Sequence, residues 1–276
     1  HDLGVRVEVA IGGSGFRVNF EGTERQVRGN LNAPFAVTLS AAYYVLRCLT
    51  DPGAPPNAGA YRAIRVLAPE GCLVRARSPA AVAAGNVETS QRVVDVLLRA
   101  LAEPLRDRVP AQSQGTMNNV TVGAVGPRHF SYYETIAGGE GGFPFRDGMD
   151  GVHTHMTNTR NTPIEALELA YPLRVEEYRL IAGTGGRGKH RGGDGVRRAL
   201  RILAPSGVVS VISDRRRHAP AGLSGGQDGH VGRNVVVRRG REETLPSKVT
   251  RPVRRGDVVV IETPGGGGWG VAPKES

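Results

Sequence analysis

The sequence predicts an α+β protein, with a mixed first part over residues 1–172 and a β-rich second part over residues 173–276. Helix-length apolar segments occur only in the first part, whereas strand-length runs separated by glycine and proline clusters fill the second. The 276 residues include 39 glycines and 18 prolines, and 5% are aromatic, which favours tight turns over a helical bundle. With 39% hydrophobic residues, such a chain can bury one large core or two moderate ones.

The first elements are a β-hairpin, a helix and a strand. Polar and apolar residues alternate over 5–9 and 16–20 on either side of a glycine-rich turn at 12–15, which indicates two paired strands. Residues 36–49 have the length and the largely apolar surface of a buried helix. A short strand is predicted over 63–67.

Two further helices follow in the first part. Residues 88–101 place Val94, Leu97, Leu98 and Leu101 on one apolar stripe, at the spacing of an α-helix.

The last helix has the clearest start signal in the chain. Thr162 is a candidate N-cap, Pro163 fits the first helical position, and Glu165 completes a capping box. Ile164, Leu167 and Leu169 would supply its apolar surface. The β-rich second part then contains five strand-length runs, at 175–180, 197–203, 208–212, 234–237 and 258–261.

The formal net charge of +10 raises nucleic acid as a partner, but the pattern of basic residues argues against it. The arginines are scattered through strand-like segments, and the densest run, 215–217, lacks interleaved aromatic residues for base stacking. No apolar run is long enough to span a bilayer, so the sequence predicts a cytoplasmic protein without membrane contact. Cys48 and Cys72 are expected to be reduced thiols with packing roles.

Two glycine-rich stretches invite a functional interpretation. Residues 183–190, GTGGRGKH, resemble a phosphate-binding loop, but the glycines that follow cannot form the required helix, so a loop between strands is expected. For residues 265–270, GGGGWG, a flexible tail is a sufficient explanation.

The segment 153–161, HTHMTNTRN, holds the main candidate site residues. His153 and His155 would share one face of an extended segment and could chelate a metal or line a polar site. Because Asp147 or Asp150 could add a third ligand only if the loop folded back, we predict no metal here.

Glycines and polar side chains surround the two histidines. Residues 138–142 are glycine-rich around Glu140, and Asn158, Arg160 and Asn161 could bind carboxylate, phosphate or amide groups. Either the glycines allow close approach to a ligand or partner, or they serve only as turns in a long ordered loop. The residues themselves leave both interpretations open.

Nine stretches, in order along nearly the whole chain, resemble the B-type subunit of the hydantoinase/5-oxoprolinase family, whose relatives include acetone and acetophenone carboxylase subunits. They are NFEGT (19–23), GNLNAP (29–34), SAAYYVLRCL (40–49), PPNAGAYRAI (55–64), APEG (68–71), HTHMTNTRNTPIEALE (153–168), GGRGKHRGGDGVRR (185–198), DRRRHAPAGLSGG (214–226) and TPGGGGWG (263–270).

The resemblance covers only the C-terminal portion of such a subunit, and it implies a hetero-oligomer. Its other parts would be the N-terminal half of the B-type subunit, which carries the catalytic divalent metal, and an A-type subunit that binds ATP with magnesium. The activity implied is ATP-dependent ring opening of a cyclic amide, with no cofactor bound by this chain. His153, His155 and Glu140 would be catalytic, and Asn158, Arg160, Asn161 and Asp147 would bind substrate.

Two alternatives remain at this stage. The same motifs permit a subunit of an ATP-dependent ketone carboxylase, acting on acetone or acetophenone. They also permit a scaffold or interaction module without catalytic groups of its own. The sequence does not choose among these substrates.

Overall fold

A computed structural model describes residues 2–13, 15–51, 53, 55–124 and 129–273. The chain forms two compact units, residues 1–109 and 110–276. The described residues form helices and three β-sheets, which confirms the predicted α+β class. The division at residue 172, drawn from the change in sequence pattern, stays a prediction.

The first unit contains a small three-stranded sheet. Strands β1 (Glu8–Gly12) and β2 (Gly15–Asn19) pair antiparallel, and β3 (Ile64–Leu67) lies parallel to β2. The hairpin and the third strand are therefore confirmed, although β1 begins at Glu8 rather than Val5. Ser14, in the predicted turn, lies outside the described residues.

Two long helices pack on each other in this unit. They are α1 (Phe35–Leu49) and α3 (Ser90–Leu101), and the single turn α2 (Ala58–Tyr61) lies between them in sequence. A π-helical turn, Gly85–Thr89, leads into α3. The helices predicted at 36–49 and 88–101 are thus confirmed. All four residues of the predicted apolar stripe of α3 are buried, which confirms the face that this helix presents to the core.

The second unit contains two antiparallel sheets. The five-stranded sheet has the order β10-β9-β12-β7-β6, and the four-stranded sheet has the order β11-β8-β4-β5. The strands are β4 (Asn119–Ala124), β5 (Phe130–Glu134), β6 (Leu173–Ile181), β7 (Gly195–Ile202), β8 (Ser206–Ile212), β9 (Arg233–Arg238), β10 (Arg241–Leu245), β11 (Lys248–Arg254) and β12 (Val258–Glu262). The five predicted strands are confirmed, whereas β4, β5, β10 and β11 were not predicted.

The two sheets pack face to face around a shared hydrophobic core. Val120 and Val211 of the four-stranded sheet belong to the same buried cluster as Val196 and Ile261 of the five-stranded sheet. Because side chains alternate along a strand, the residues between these core positions in each strand point to the opposite face of the sheet. Arg197, for example, lies between buried neighbours and forms outward ion pairs with glutamates.

The start of α4 (Ile164–Ala170) corrects the sequence analysis. Pro163 occupies the N-cap position with extended backbone (ψ 141°), and no side chain caps the helix, so the predicted capping box is absent. Only Leu167 of α4 is buried, while Leu169 is 90% exposed. Part of the apolar surface predicted for this helix therefore faces solvent.

The arginines of the run 215–217 are engaged in contacts within the protein. Arg215 is buried, and Arg216 donates hydrogen bonds to the side chains of Asn234 and Asn118. Both cysteines are free, but only Cys72 is buried, so the packing role expected for Cys48 is wrong. No helix within the described residues is long and apolar enough to cross a membrane.

Candidate functional site

Glycines from four distant segments meet in what we call the glycine cluster, defined by residues 138–142, 185–193, 222–229 and 265–268. A Cβ atom on Gly266 would lie 2.0 Å from the backbone oxygen of Glu140, and one on Gly139 would lie 2.0 Å from that of Gly193. Such distances exclude any side chain, because only glycine lets two backbones come this close. The glycines therefore serve close approach within the chain, and not turns alone.

Backbone hydrogen bonds hold these segments together. The amide of Gly266 donates to the oxygen of Gly193 (2.9 Å), and the amide of Gly193 donates to that of Glu140 (2.8 Å). Residues 265–268 are all buried, so the flexible tail expected for this stretch is wrong. Residues 183–190 connect β6 to β7 without a helix, which confirms the loop and excludes a phosphate-binding loop.

Glu140 and the two nearby aspartates hold this region in place. The Glu140 carboxylate accepts hydrogen bonds from both terminal nitrogens of Arg146 (2.7 and 3.1 Å) and from the amide of Met149 (3.0 Å). Asp147 accepts from the amide of Arg191, and Asp150 forms a bidentate ion pair with the Arg191 guanidinium. The hydrogen bond from Arg191 is the main cause that lowers the pKa of Asp150.

His153 is a half-buried side chain that lies between two threonine hydroxyls. Its Nδ1 lies 3.3 Å from the Thr157 hydroxyl, and its Nε2 lies 3.4 Å from that of Thr159. Burial lowers the pKa of His153 and so favours the neutral form of the ring. A neutral imidazole can accept a proton.

His155 does not continue an extended segment with His153. It lies in a turn with a φ of +58°, so the geometry assumed for a shared face is not met. Among the described residues, no group of three or more His, Cys, Asp or Glu side chains is placed to hold a metal ion.

Asn158 and Arg160 point away from the packed part of the segment. Both are exposed, and neither forms a hydrogen bond or ion pair with another residue in the part of the chain that the structure describes. Their donors are therefore accessible to a ligand or a partner chain.

Asn161 belongs to a partly buried network that the sequence did not predict. Its amide donates to Glu134 Oε2 and to the backbone oxygen of Thr135, both at 2.9 Å. The other oxygen of Glu134 accepts from Arg198 Nε at 2.8 Å. We call Tyr132, Glu134, Asn161, Tyr178 and Arg198 the Glu134 network, since Tyr132 donates to Glu134 and Tyr178 donates to Asn161.

The Glu134–Arg198 pair lies inside the sandwich. The two side chains are 3% and 1% exposed. Burial alone would lower the pKa of Arg198, but the hydrogen bond and charge of Glu134 outweigh it and raise that pKa. Burial, together with the charge of Glu134, raises the pKa of Tyr132 to about 12.

The terminal nitrogens of Arg198 are the unusual feature of this pair. Nη1 and Nη2 are buried and hydrogen-bonded to no residue that the structure describes. The Tyr132 hydroxyl lies near the guanidinium and adds to the rise in its pKa, without reaching hydrogen-bond geometry with either nitrogen. A buried donor without an acceptor lowers the stability of the folded chain by about 1–3 kcal/mol, so an acceptor that bound these nitrogens would be stabilising.

A signal for this pair was present in the sequence. Arg198 occupies the inward phase of a strand whose other inward residues, Val196, Leu200 and Ile202, are apolar. A charged residue in that phase indicates a buried ion pair or a ligand contact. Its partner, Glu134, lies 64 residues earlier on a strand that was not predicted.

Hydrogen bonds connect only some of the predicted site residues. Thr159 bonds both His153 and Thr135, and Thr135 also bonds Asn161, so the segment 153–161 is tied to the Glu134 network. Glu140 and Asp147 instead brace the glycine cluster. Within the described residues, no hydrogen bond joins those two carboxylates to His153, Arg160 or Asn161.

Comparison with known proteins shows which protein family this chain resembles. The Hydantoinase B/oxoprolinase profile matches residues 1–272. The chain is 44% identical over 268 residues to the uncharacterised protein MJ0963 of Methanocaldococcus jannaschii, with 97% of the chain and 47% of that protein covered. It is also 44% identical over 253 residues to 5-oxoprolinase 1 of Arabidopsis thaliana, with 91% of the chain and 19% of that protein covered.

A solved structure shares the fold. The ATP-dependent caprolactamase from Pseudomonas jessenii superposes with a TM-score of 0.86 at 25% identity, over 98% of this chain and 49% of the other. The chain thus spans about half or less of the length of these proteins. With a family match over nearly its whole length, the chain belongs to the hydantoinase B/oxoprolinase family.

Proposed function

We propose that this chain is the C-terminal part of a B-type subunit in an ATP-dependent cyclic-amide hydrolase. The observation that carries the proposal is the family match over residues 1–272. Similarity to proteins named 5-oxoprolinase and ATP-dependent caprolactamase supports a lactam as the substrate class. The rest of the B-type subunit and an A-type subunit that binds ATP with magnesium would complete a hetero-oligomer.

The chemistry explains why ATP is needed. An amide resists attack by water because its nitrogen donates electrons to the carbonyl. In the proposed reaction, the A-type partner transfers the terminal phosphoryl group of ATP to the amide oxygen, and water then adds to the activated carbon. The ring C–N bond breaks, and an amino acid, ADP and phosphate result. The catalytic divalent metal would be held by the N-terminal half of the subunit, where it would activate the water.

The residues of this chain would bind and orient the substrate. The neutral His153 is suited to accept a proton, and His155 follows it in the same segment. The exposed donors of Asn158 and Arg160 would stabilise negative charge, with Asn161 fixing their segment to the Glu134 network. Glu140 is proposed as a catalytic residue, and its bonds to Arg146 and Met149 would fix its orientation, as Asp147 fixes the neighbouring loop.

The test is turnover by the complete complex. We expect ATP-dependent hydrolysis of 5-oxoproline, hydantoin or caprolactam, measured as amino-acid release and ADP formation. Consumption of acetone or acetophenone with ATP and bicarbonate, but of no cyclic amide, would identify a ketone carboxylase instead.

Two alanine variants test the site itself. His153→Ala and Arg160→Ala should lower the catalytic rate while the complex still assembles. If neither variant changes the kinetics or the assembly, this chain is a scaffold and the proposed site is wrong. Glu165→Ala, on the exposed side of α4, is the matched control.

A further inference from the structure

The guanidinium of Arg198 has donors that the described part of the chain does not use. An arginine carries five N–H donors in a planar fork. Among the residues that the structure describes, only Nε of Arg198 has an acceptor, Glu134 Oε1. The second oxygen of Glu134 accepts from Tyr132 and Asn161, and neither oxygen of Glu134 is hydrogen-bonded to Nη1 or Nη2. The four N–H hydrogens on Nη1 and Nη2 therefore require an acceptor from elsewhere.

Arg198 lies one aromatic ring below the protein surface. The Tyr178 ring covers its guanidinium at 4.5 Å, yet Tyr178 is 41% exposed. Tyr178 and Leu180 pair with Arg198 and Val196 on the neighbouring strand, so they share the inward face of the sheet. Leu180 nonetheless is 48% exposed. This end of the inward face of β6 is therefore open, directly beside the arginine.

The surroundings define the kind of ligand that would fit. The charges of Glu134 and Arg198 cancel, whereas Arg160, next to Asn161 in the chain, is exposed and has no ion pair among the described residues. Arg160 thus adds a positive charge in the segment that joins the Glu134 network. A planar fork of donors suits a carboxylate, and Tyr178 and Leu180 offer apolar surface to the methylene groups of a small ring attached to it.

We propose that Arg198 binds a carboxylate of the substrate through Nη1 and Nη2, and so selects cyclic amides that carry a carboxylate over neutral ones. This inference rests on the proposed function and names the substrate class of the same site. 5-Oxoproline has such a carboxylate, whereas caprolactam does not. Arg198 would then be a specificity-determining residue, reached when Tyr178 moves aside.

The experiment compares two ligands that differ only in the carboxylate. Binding of 5-oxoproline and of 2-pyrrolidinone, the same ring without the carboxylate, is measured by calorimetry on the complete complex. We expect Arg198→Lys to weaken 5-oxoproline binding by about 10- to 100-fold, because it keeps the charge beside Glu134 but removes the fork. Binding of 2-pyrrolidinone should not change.

Two further variants control for folding and position. Arg201 lies on the same strand but faces outward, where it forms an ion pair with Glu176. The variant Arg201→Lys should bind both ligands as the wild type does. If Arg198→Lys fails to fold, as judged by circular dichroism, the paired variant Glu134→Gln/Arg198→Met removes the fork without leaving a buried charge. It should show the same selective loss.

The outcomes separate this inference from the proposed function. Selective loss of 5-oxoproline binding supports the inference, even if the complex hydrolyses no cyclic amide and the proposed function is wrong. Equal effects of the variants on both ligands, no effect on either, or failure of the wild type to bind 5-oxoproline would overturn it. If the complex nonetheless hydrolyses cyclic amides, the proposed function is supported although the inference about Arg198 is wrong.

Discussion

Nε of Arg198 lies 2.8 Å from Oε1 of Glu134, and this pair joins the two sheets of the second unit across their shared core. Glu134 ends β5 in one sheet, while Arg198 lies within β7 of the other. The pair also holds Asn161, and through it the segment that carries His153. Stability and the shape of the candidate site therefore depend on the same ion pair.

Removing one partner of this pair should be strongly destabilising. Glu134→Gln leaves the Arg198 charge buried without compensation, and we expect the free energy of unfolding to fall by about 3–5 kcal/mol. The paired variant Glu134→Gln/Arg198→Met should recover much of that loss, because no buried charge remains. Urea denaturation of the wild type and the variants measures both effects.

An exposed ion pair on the same strand provides the comparison. Arg201→Gln breaks a surface contact with Glu176 and should change the free energy of unfolding by only about 0–1 kcal/mol. If Glu134→Gln has an equally small effect, the pair does not join the sheets as described.

The glycine cluster should not tolerate a single added methyl group at its centre. A Cβ atom on Gly266 would lie 2.0 Å from the oxygen and 2.3 Å from the carbonyl carbon of Glu140, and backbone atoms cannot yield as a flexible side chain can. We expect Gly266→Ala to destabilise the chain by about 3 kcal/mol or more, or to prevent folding. Thermal unfolding followed by circular dichroism gives the measurement.

The matched substitution is Gly29→Ala, where no atom lies within 4 Å of the added Cβ. It should leave the unfolding temperature close to that of the wild type. Equal unfolding temperatures for the two variants would show that the close backbone contacts of Gly266 are not formed.

The helices and core strands could be predicted from the sequence because their signal is local. The stripe of α3 and the alternation in β7 repeat within one element, at the period that the backbone sets. In contrast, β5 was missed because Phe130–Glu134 lacks a clean alternation of apolar and polar residues: Tyr133 faces outward and Glu134 faces inward.

The site could be located from the sequence, but its contacts could not. The pairing of Glu134 with Arg198 spans 64 residues, and the glycines meet across four segments. No local pattern encodes which backbone each glycine approaches. The predicted cap at Thr162 failed because α4 begins one residue later than the capping pattern indicates: Pro163 occupies the N-cap position, and no side chain caps the helix.

His153 should make stability depend on pH in the range where histidine titrates. Because burial lowers its pKa in the folded chain, the unfolded chain binds a proton at a higher pH than the folded chain does. The contribution of the neutral ring is complete above the unfolded pKa of about 6.5 and is lost as the pH falls below it.

The measurement is the free energy of unfolding between pH 7.5 and pH 5. The wild type should lose more stability over this range than His153→Gln, in which no group titrates at this position. His129→Gln, at an exposed histidine, should follow the wild type. Parallel curves for the wild type and His153→Gln would contradict the burial of His153.

The last prediction concerns metal at the two histidines. A catalytic zinc generally takes three protein ligands and a water, and two imidazoles alone bind zinc weakly. His155 lies in a turn with a φ of +58°, while the nearby carboxylates of Asp147 and Asp150 are held by Arg191. We therefore expect the chain, expressed alone and dialysed, to retain far less than one equivalent of any transition metal. Elemental analysis that finds about one zinc or manganese per chain, lost in His153→Ala/His155→Ala but kept in His129→Ala, would contradict this prediction.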